Sequence, residues 1–217
     1  MKLAVVALII AAAALSAGVY SRLPARVPTH WNAAGEIDDY QPKAVGAFLL
    51  PAGMLILAGV FAALPAISPS GFDIERRSRA YRAILLIILV FMLGLHVYAL
   101  LAAMNMARSI NAVVPLLVGA LFVALGNYLP KIRRNFFMGI RTPWTLADED
   151  VWFRTHRLGG VLFVISGVLL MVVTPFLNNR VRSVFLLGLL LLVSLVLVIF
   201  SFAIYRRPDP GEGQVSP

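Results

Sequence analysis

The sequence predicts an all-α membrane protein. It would be a bundle of six transmembrane helices with a small extracytoplasmic β-hairpin loop and a cytoplasmic loop containing an interfacial helix. Three observations predict this. Hydrophobic residues make up 60% of the chain and charged residues only 13%, with a mean hydropathy of +0.88, far from the balance of a soluble domain. Six runs approach the roughly 20 apolar residues needed to cross a hydrocarbon core. The basic residues behind the net charge of +9 lie between those runs, as loop charges beside a membrane do, rather than along one solvated face as for nucleic acid. The chain has no cysteine, which excludes a disulfide framework and a thiolate metal site.

The spans fall near 3–21, 45–67, 81–104, 112–129, 158–177 and 183–205, and none has an acid in its interior. The first has small residues four apart, Ala7/Ala11 and Ala14/Gly18, a spacing that lets helices approach closely. Its start, Met1–Ser16, also has the form of a cleavable signal peptide. The apolar run continues through Val19 and Tyr20, which favours a retained span. Pro51, Pro65, Pro115 and Pro175 lie in or at the ends of spans, where neighbouring helices must satisfy the freed backbone groups. His96 and Asn127 are the notable intramembrane polar residues. His96 is a functional candidate by default, although a neutral histidine bonded to a neighbouring helix is the commoner arrangement.

Thirteen of the nineteen Lys and Arg fall on one side of this map, including Arg76, Arg77, Arg79, Arg82, Arg206 and Arg207. Arg22, Arg26, Lys43, Arg108, Arg180 and Arg182 fall on the other. The positive-inside rule then puts both termini in the cytoplasm, loop 22–44 outside and loop 130–157 inside. The chain divides into a two-helix unit over 1–67, a four-helix unit over 81–205 and a cytoplasmic tail over 206–217.

The outer loop carries "VPTHWNAAGEIDDY", residues 27–40. Prolines 24 and 28 enforce extended backbone before them. A hairpin follows, with Thr29–Asn32 as one arm, Ala33-Ala34-Gly35 as a turn ending in left-handed glycine, and Glu36–Asp39 as the other arm. This register sets Asn32 against Glu36, Trp31 against Ile37 and His30 against Asp38. Alternation gives Trp31 and Ile37 an apolar face for the bundle, leaving His30, Asn32, Glu36 and Asp38 facing outward. The His30–Asp38 pair has three readings: a cross-strand pair fixing register, a recognition surface for an external ligand, or a metal site with Glu36. An isolated hairpin is marginal in water, so it is expected to dock on the helices.

The inner loop opens with Lys131, Arg133 and Arg134 near anionic headgroups, and Phe136, Phe137 and Met138 beside them. Gly139 and Pro143 break regular structure. Thr145 and Asp148 have the spacing of a helix N-terminus, with Asp148, Glu149 and Asp150 in its first turn. Asp150 and Arg154 are spaced to pair. From Leu146 onward, Trp152, Thr155, His156 and Gly159 share one stripe. That stripe reads either as an amphipathic interfacial helix guiding the chain into the fifth span or as a cytoplasmic contact site.

Two stretches, "LPARVPTHWNAAGEIDDYQPK" and "GNYLPKIRRNFFMGIRTPWTLADEDVWFRTHRLGG", resemble the two signatures of the SdpI family. These are bacterial membrane proteins named for immunity to the sporulation-delaying protein toxin. The resemblance implies a multi-pass plasma-membrane protein that is not an enzyme, needs no cofactor and protects its host from a secreted peptide toxin. It also implies signalling, in which engaged toxin lets the protein hold a winged-helix autorepressor at the membrane. The outer motif maps onto Pro28, Thr29, His30, Trp31, Asn32, Gly35, Asp38 and Lys43. The inner motif maps onto Asn135, Gly139, Arg141, Thr142, Pro143, Trp144, Trp152, Thr155, His156 and Gly159.

Two other classes compete. A transporter of a small molecule, peptide or lipid fits six spans, but no nucleotide-binding loop or intramembrane carboxylate supports coupling. A membrane enzyme, metal-dependent or not, would need a motif such as GxSxG, HExxH or paired intramembrane aspartates, and none is present.

Overall fold

The computed structural model describes residues 2–32, 34–72, 74 and 78–206. Arg76, Arg77, Arg207, the rest of the tail and Ala33 of the turn lie outside them. The helices are α1 (Lys2–Val19), α2 (Lys43–Ala63), α3 (Arg79–Ala103), α4 (Ile110–Gly126), α5 (Pro143–Ala147), α6 (Glu149–Val173) and α7 (Asn179–Tyr205). With their flanking turns, all but α5 are long and apolar enough to cross a membrane, matching the six expected spans. Between α1 and α2 lies an antiparallel pair, β1 (Arg26–Trp31) and β2 (Ile37–Pro42).

Two carbonyls freed by prolines explain how α1, α2 and α3 hold together. Pro51 lacks an N–H, so the Ala47 carbonyl one turn earlier loses its helical donor. Ser16 of α1 supplies the replacement, its Oγ donating to Ala47 O at 2.6 Å. His96 of α3 joins the same point, its Nε2 lying 3.0 Å from Ser16 Oγ and 3.1 Å from Ala12 O. A carbonyl partner requires that Nε2 carry the proton. His96 is therefore the helix-bonded histidine, with no acidic partner among the described residues. Pro65 frees the Phe61 carbonyl in the same way, and Tyr81 Oη donates to it. The close-packed small residues of α1 are Ala12 and Ser16, both fully buried. The expected Ala7/Ala11 and Ala14/Gly18 pairs are exposed, because the proline-freed carbonyl draws Ser16 to the interface. Asn127 is also exposed and bonds its own helix, donating to Val123 O at 2.6 Å.

The tightest helix pair is α4 against α6. Gly119 and Gly126 are seven residues apart on one helix, Gly160 and Gly167 on the other. Run antiparallel, they meet as Gly119–Gly167 and Gly126–Gly160, where an added Cβ at Gly119 would lie 2.7 Å from Gly167 O and one at Gly126 would lie 2.7 Å from Gly160 O. Phe122 and Phe163 stack between these two crossings at 4.4 Å. With no apolar driving force in lipid, such backbone approach carries helix association.

The two polar loops sit at opposite ends of the bundle. Asn111, at the start of α4, touches the hairpin turn. The inner loop begins past the other end of that helix, about 25 Å away at 1.5 Å per residue. We refer to these as the hairpin end and the arginine-rich end.

Candidate functional site

The hairpin forms as expected but with a different register. Trp31 pairs with Ile37, while His30 pairs with Asp39 rather than Asp38. Thr29 and Asp38 are each an extra residue on their own strand, two compensating bulges that re-aim side chains. The bulged Asp38 still reaches across, and His30 Nδ1 lies 2.5 Å from its Oδ1 with both side chains largely in solvent. Asn32 uses its side chain on the turn, accepting from Ala34 N at 2.9 Å and Glu36 N at 3.0 Å and donating to Glu36 Oε2 at 3.1 Å. Asn32 and Glu36 thus bond each other along the turn, with Glu36 still exposed. Glu36 turns to Asn32 while Asp38 turns to His30, and among the described residues no three metal-binding side chains converge.

Docking is firm. Val27 and Leu23 are buried with Ala47, Leu100 and Ala103 as a small core beneath the sheet. Gly46 leaves room for this approach, since a Cβ there would lie 2.6 Å from Val27 Cβ. Trp31 packs on Tyr98 with ring centroids 5.7 Å apart, while Ile37 stays partly exposed. Lys43 opens α2 and lies over the Tyr20 ring at 4.9 Å. Gly35 is left-handed at φ 83°, as the turn required. Asn111 closes the contact, its Nδ2 donating to Ala34 O at 2.8 Å, and a Cβ on Gly35 would lie 2.6 Å from that nitrogen. Sequence reasoning missed Asn111 because it reads only as a polar residue in a first helical turn. Asn111→Ala is expected to speed amide exchange across residues 34–40 about five- to tenfold, from the roughly 1 kcal/mol of one hydrogen bond. Hydrogen-exchange mass spectrometry in detergent checks it, and unchanged exchange would refute the latch.

Trp31, Glu36, Ile37, Tyr98, Arg108 and Ser109 line an open depression of about 370 Å³ between hairpin and α3–α4 turn. Its lining is mixed, with Glu36, Asn105, Arg108 and Ser109 beside Trp31, Ile37 and Tyr98.

At the arginine-rich end the structure corrects the expected helix start. Thr142 and Thr145 cap each other around α5, with Pro143 in its first turn, a position that suits proline. Asp148 then caps α6 by accepting from Val151 N at 2.9 Å. Capping by Asp148 starts the long helix at Glu149, not Leu146, and makes the interfacial helix and the fifth span one continuous rod. Asp150 and Arg154 pair at 3.2 Å as their spacing predicts.

The stripe on that rod is not a contact surface. Trp152, Thr155 and His156 have no exposure and Gly159 is buried, because residues 132–142 fold over them. Trp152 Nε1 donates to Ile132 O at 2.8 Å. His156 Nε2 accepts from Ile140 N at 3.0 Å while its Nδ1 donates to Trp152 O at 2.8 Å. A backbone donor on one nitrogen and a carbonyl on the other fix the neutral Nδ1–H tautomer. Gly139 adopts φ 106°, and any Cβ there would run into His156 Nε2.

The other inner-motif residues complete this clasp. Asn135, buried, accepts from Phe137 N and Met138 N and donates to Arg133 O and Met138 O, all within 3.1 Å. Arg141 donates to Phe136 O at 2.6 Å. Thr142 reaches Ser201 of α7 at 3.3 Å, and Trp144 packs on Phe202 with ring centroids 4.9 Å apart. Arg134, expected at headgroups, turns inward to the Leu146 and Ala147 carbonyls that end α5. Phe136 remains exposed, whereas Phe137 and Met138 are half-buried. Thr155 Oγ1 is buried with no hydrogen-bond partner among the described residues.

Comparison with known proteins finds two family matches. Residues 131–204 match the SdpI/YfhL protein family, and residues 7–55 match a domain of unknown function, DUF1648. Immunity protein SdpI of Bacillus subtilis (strain 168) is 27% identical over 192 residues, covering 87% of this chain and 86% of that protein. No solved structure matches.

Proposed function

We propose that this SdpI-family membrane protein gives its host cell immunity to a secreted, membrane-active peptide. The observation that carries the proposal is the similarity to an immunity protein along nearly the whole chain, both loops included. The docked hairpin supports it, because a latched loop has less conformational freedom to lose when a ligand binds. His30 and Asp38 pair on the solvent-exposed side of that loop and are the residues on which a peptide would land.

Expression of the protein is expected to protect sensitive cells, and His30→Ala or Asp38→Ala to lower the protective dose limit several-fold without lowering membrane abundance. Identical killing curves with and without the protein would remove the immunity reading.

The reading requires the hairpin outside, as the thirteen-to-six division of basic residues indicates. Because the chain has no cysteine, single cysteines report sidedness cleanly. Ala34→Cys should react with an impermeant maleimide on intact cells and Ala147→Cys only after permeabilisation, both positions being exposed. The reverse pattern would invert the topology and end the proposal.

Relay to a cytoplasmic repressor is the finer reading that the family resemblance suggests. The surface for it would be the outside of the clasp, around Phe136 and Arg141, since the inner-motif stripe is covered. Co-purification of a repressor only from toxin-exposed cells would test it.

A further inference from the structure

We propose that the groove between α4 and α6 at the arginine-rich end is a binding site for one anionic phospholipid. The groove holds about 650 Å³, within the range of roughly 300–1,000 Å³ typical of small-molecule sites. Its lining has two cations, Lys131 and Arg157, and no acid.

The order of residues gives the groove a direction. Gly126 and Gly160 touch backbone to backbone and form its floor without side chains. Moving from that crossing toward the helix end, Arg157 is three residues before Gly160 and Lys131 five after Gly126, so both cations lie on the same, outer side. Moving toward the middle of the bundle, the wall becomes Val161, Val164 and Ile165, with Val161 and Ile165 about half exposed. Arg157 is also the last charged residue before the apolar part of its span, and Lys131 the first after the apolar part of α4. The two charges thus reach headgroup depth from antiparallel helices, and the apolar trough runs inward from them. Phosphate outward and acyl chain inward is the polarity of a phospholipid, and two cations without an acid select a negative headgroup. Phe153, 43% exposed, borders the mouth where glycerol would sit.

The site is independent of the immunity reading and survives its failure. The test is native mass spectrometry of the purified full chain with added phosphatidylglycerol or phosphatidylcholine. The wild type should retain one phosphatidylglycerol and no phosphatidylcholine. Lys131→Gln/Arg157→Gln should weaken retention about 30-fold. Arg133→Gln/Arg206→Gln removes the same charge at the same end outside the groove and should leave it unchanged. Ile165→Trp, which fills the trough at an exposed position, should displace the lipid with both cations intact. Equal retention of the two lipids, equal loss in both double variants, or displacement by inorganic phosphate alone would overturn the proposal.

Discussion

Gly167→Leu is expected to cost about 3 kcal/mol of stability, the upper part of the usual range for overpacking. What a side chain would meet there is the Gly119 carbonyl and the Val123 backbone nitrogen. Backbone cannot rotate aside as a flexible side chain does, so the whole α4–α6 pair must separate. Gly119→Leu should behave alike, and the double variant should cost less than the sum, because one separation accommodates both. Gly59 and Gly188 have nothing within 4 Å of an added Cβ, and leucine there should leave the melting temperature in detergent unchanged. If all four single variants melted together, the glycine crossing would not be what holds the second half of the bundle.

His156→Phe should open the clasp over α6. Phenylalanine keeps the ring that stacks on Trp152, whose centroid lies 4.0 Å from that of His156, but cannot accept from Ile140 N–H. An unsatisfied donor in a part-buried site costs about 1–3 kcal/mol, which raises the open fraction roughly 5- to 150-fold. Trypsin reads this directly, because Arg133, Arg134 and Arg141 lie in the clasp. Gly139→Ala should produce the same accelerated cutting by a different cause, a side chain forced into φ 106° and against the imidazole. Equal cleavage rates in wild type and His156→Phe would mean that the Ile140–His156 bond does not hold the loop.

These variants also separate what was legible from what was not. Six apolar runs of spanning length were readable because lipid demands long apolar helices and little else does. The hairpin was readable from Pro28, Gly35 and the alternation of Trp31 and Ile37. Its bulges were not, since a two-residue compensation leaves composition and alternation nearly intact. The stripe Trp152–Gly159 was found by spacing, yet spacing cannot say what covers a face. A loop of mixed polarity, residues 132–142, turned a supposed contact surface into an interior.

By itself the sequence determined the membrane class, the number of spans, the division into two polar loops and the residues in each. Those properties follow from local quantities: run length, charge placement, proline and glycine. Tertiary structure alone decided partners. Ser16 was matched to the carbonyl freed by Pro51, Asn111 to the hairpin turn, Gly119 to Gly167, and His156 to a backbone amide sixteen residues earlier in the chain. The physical reason is that a hydrogen bond or a close backbone approach depends on where a second element lies in space, and no periodicity along one segment encodes the position of another.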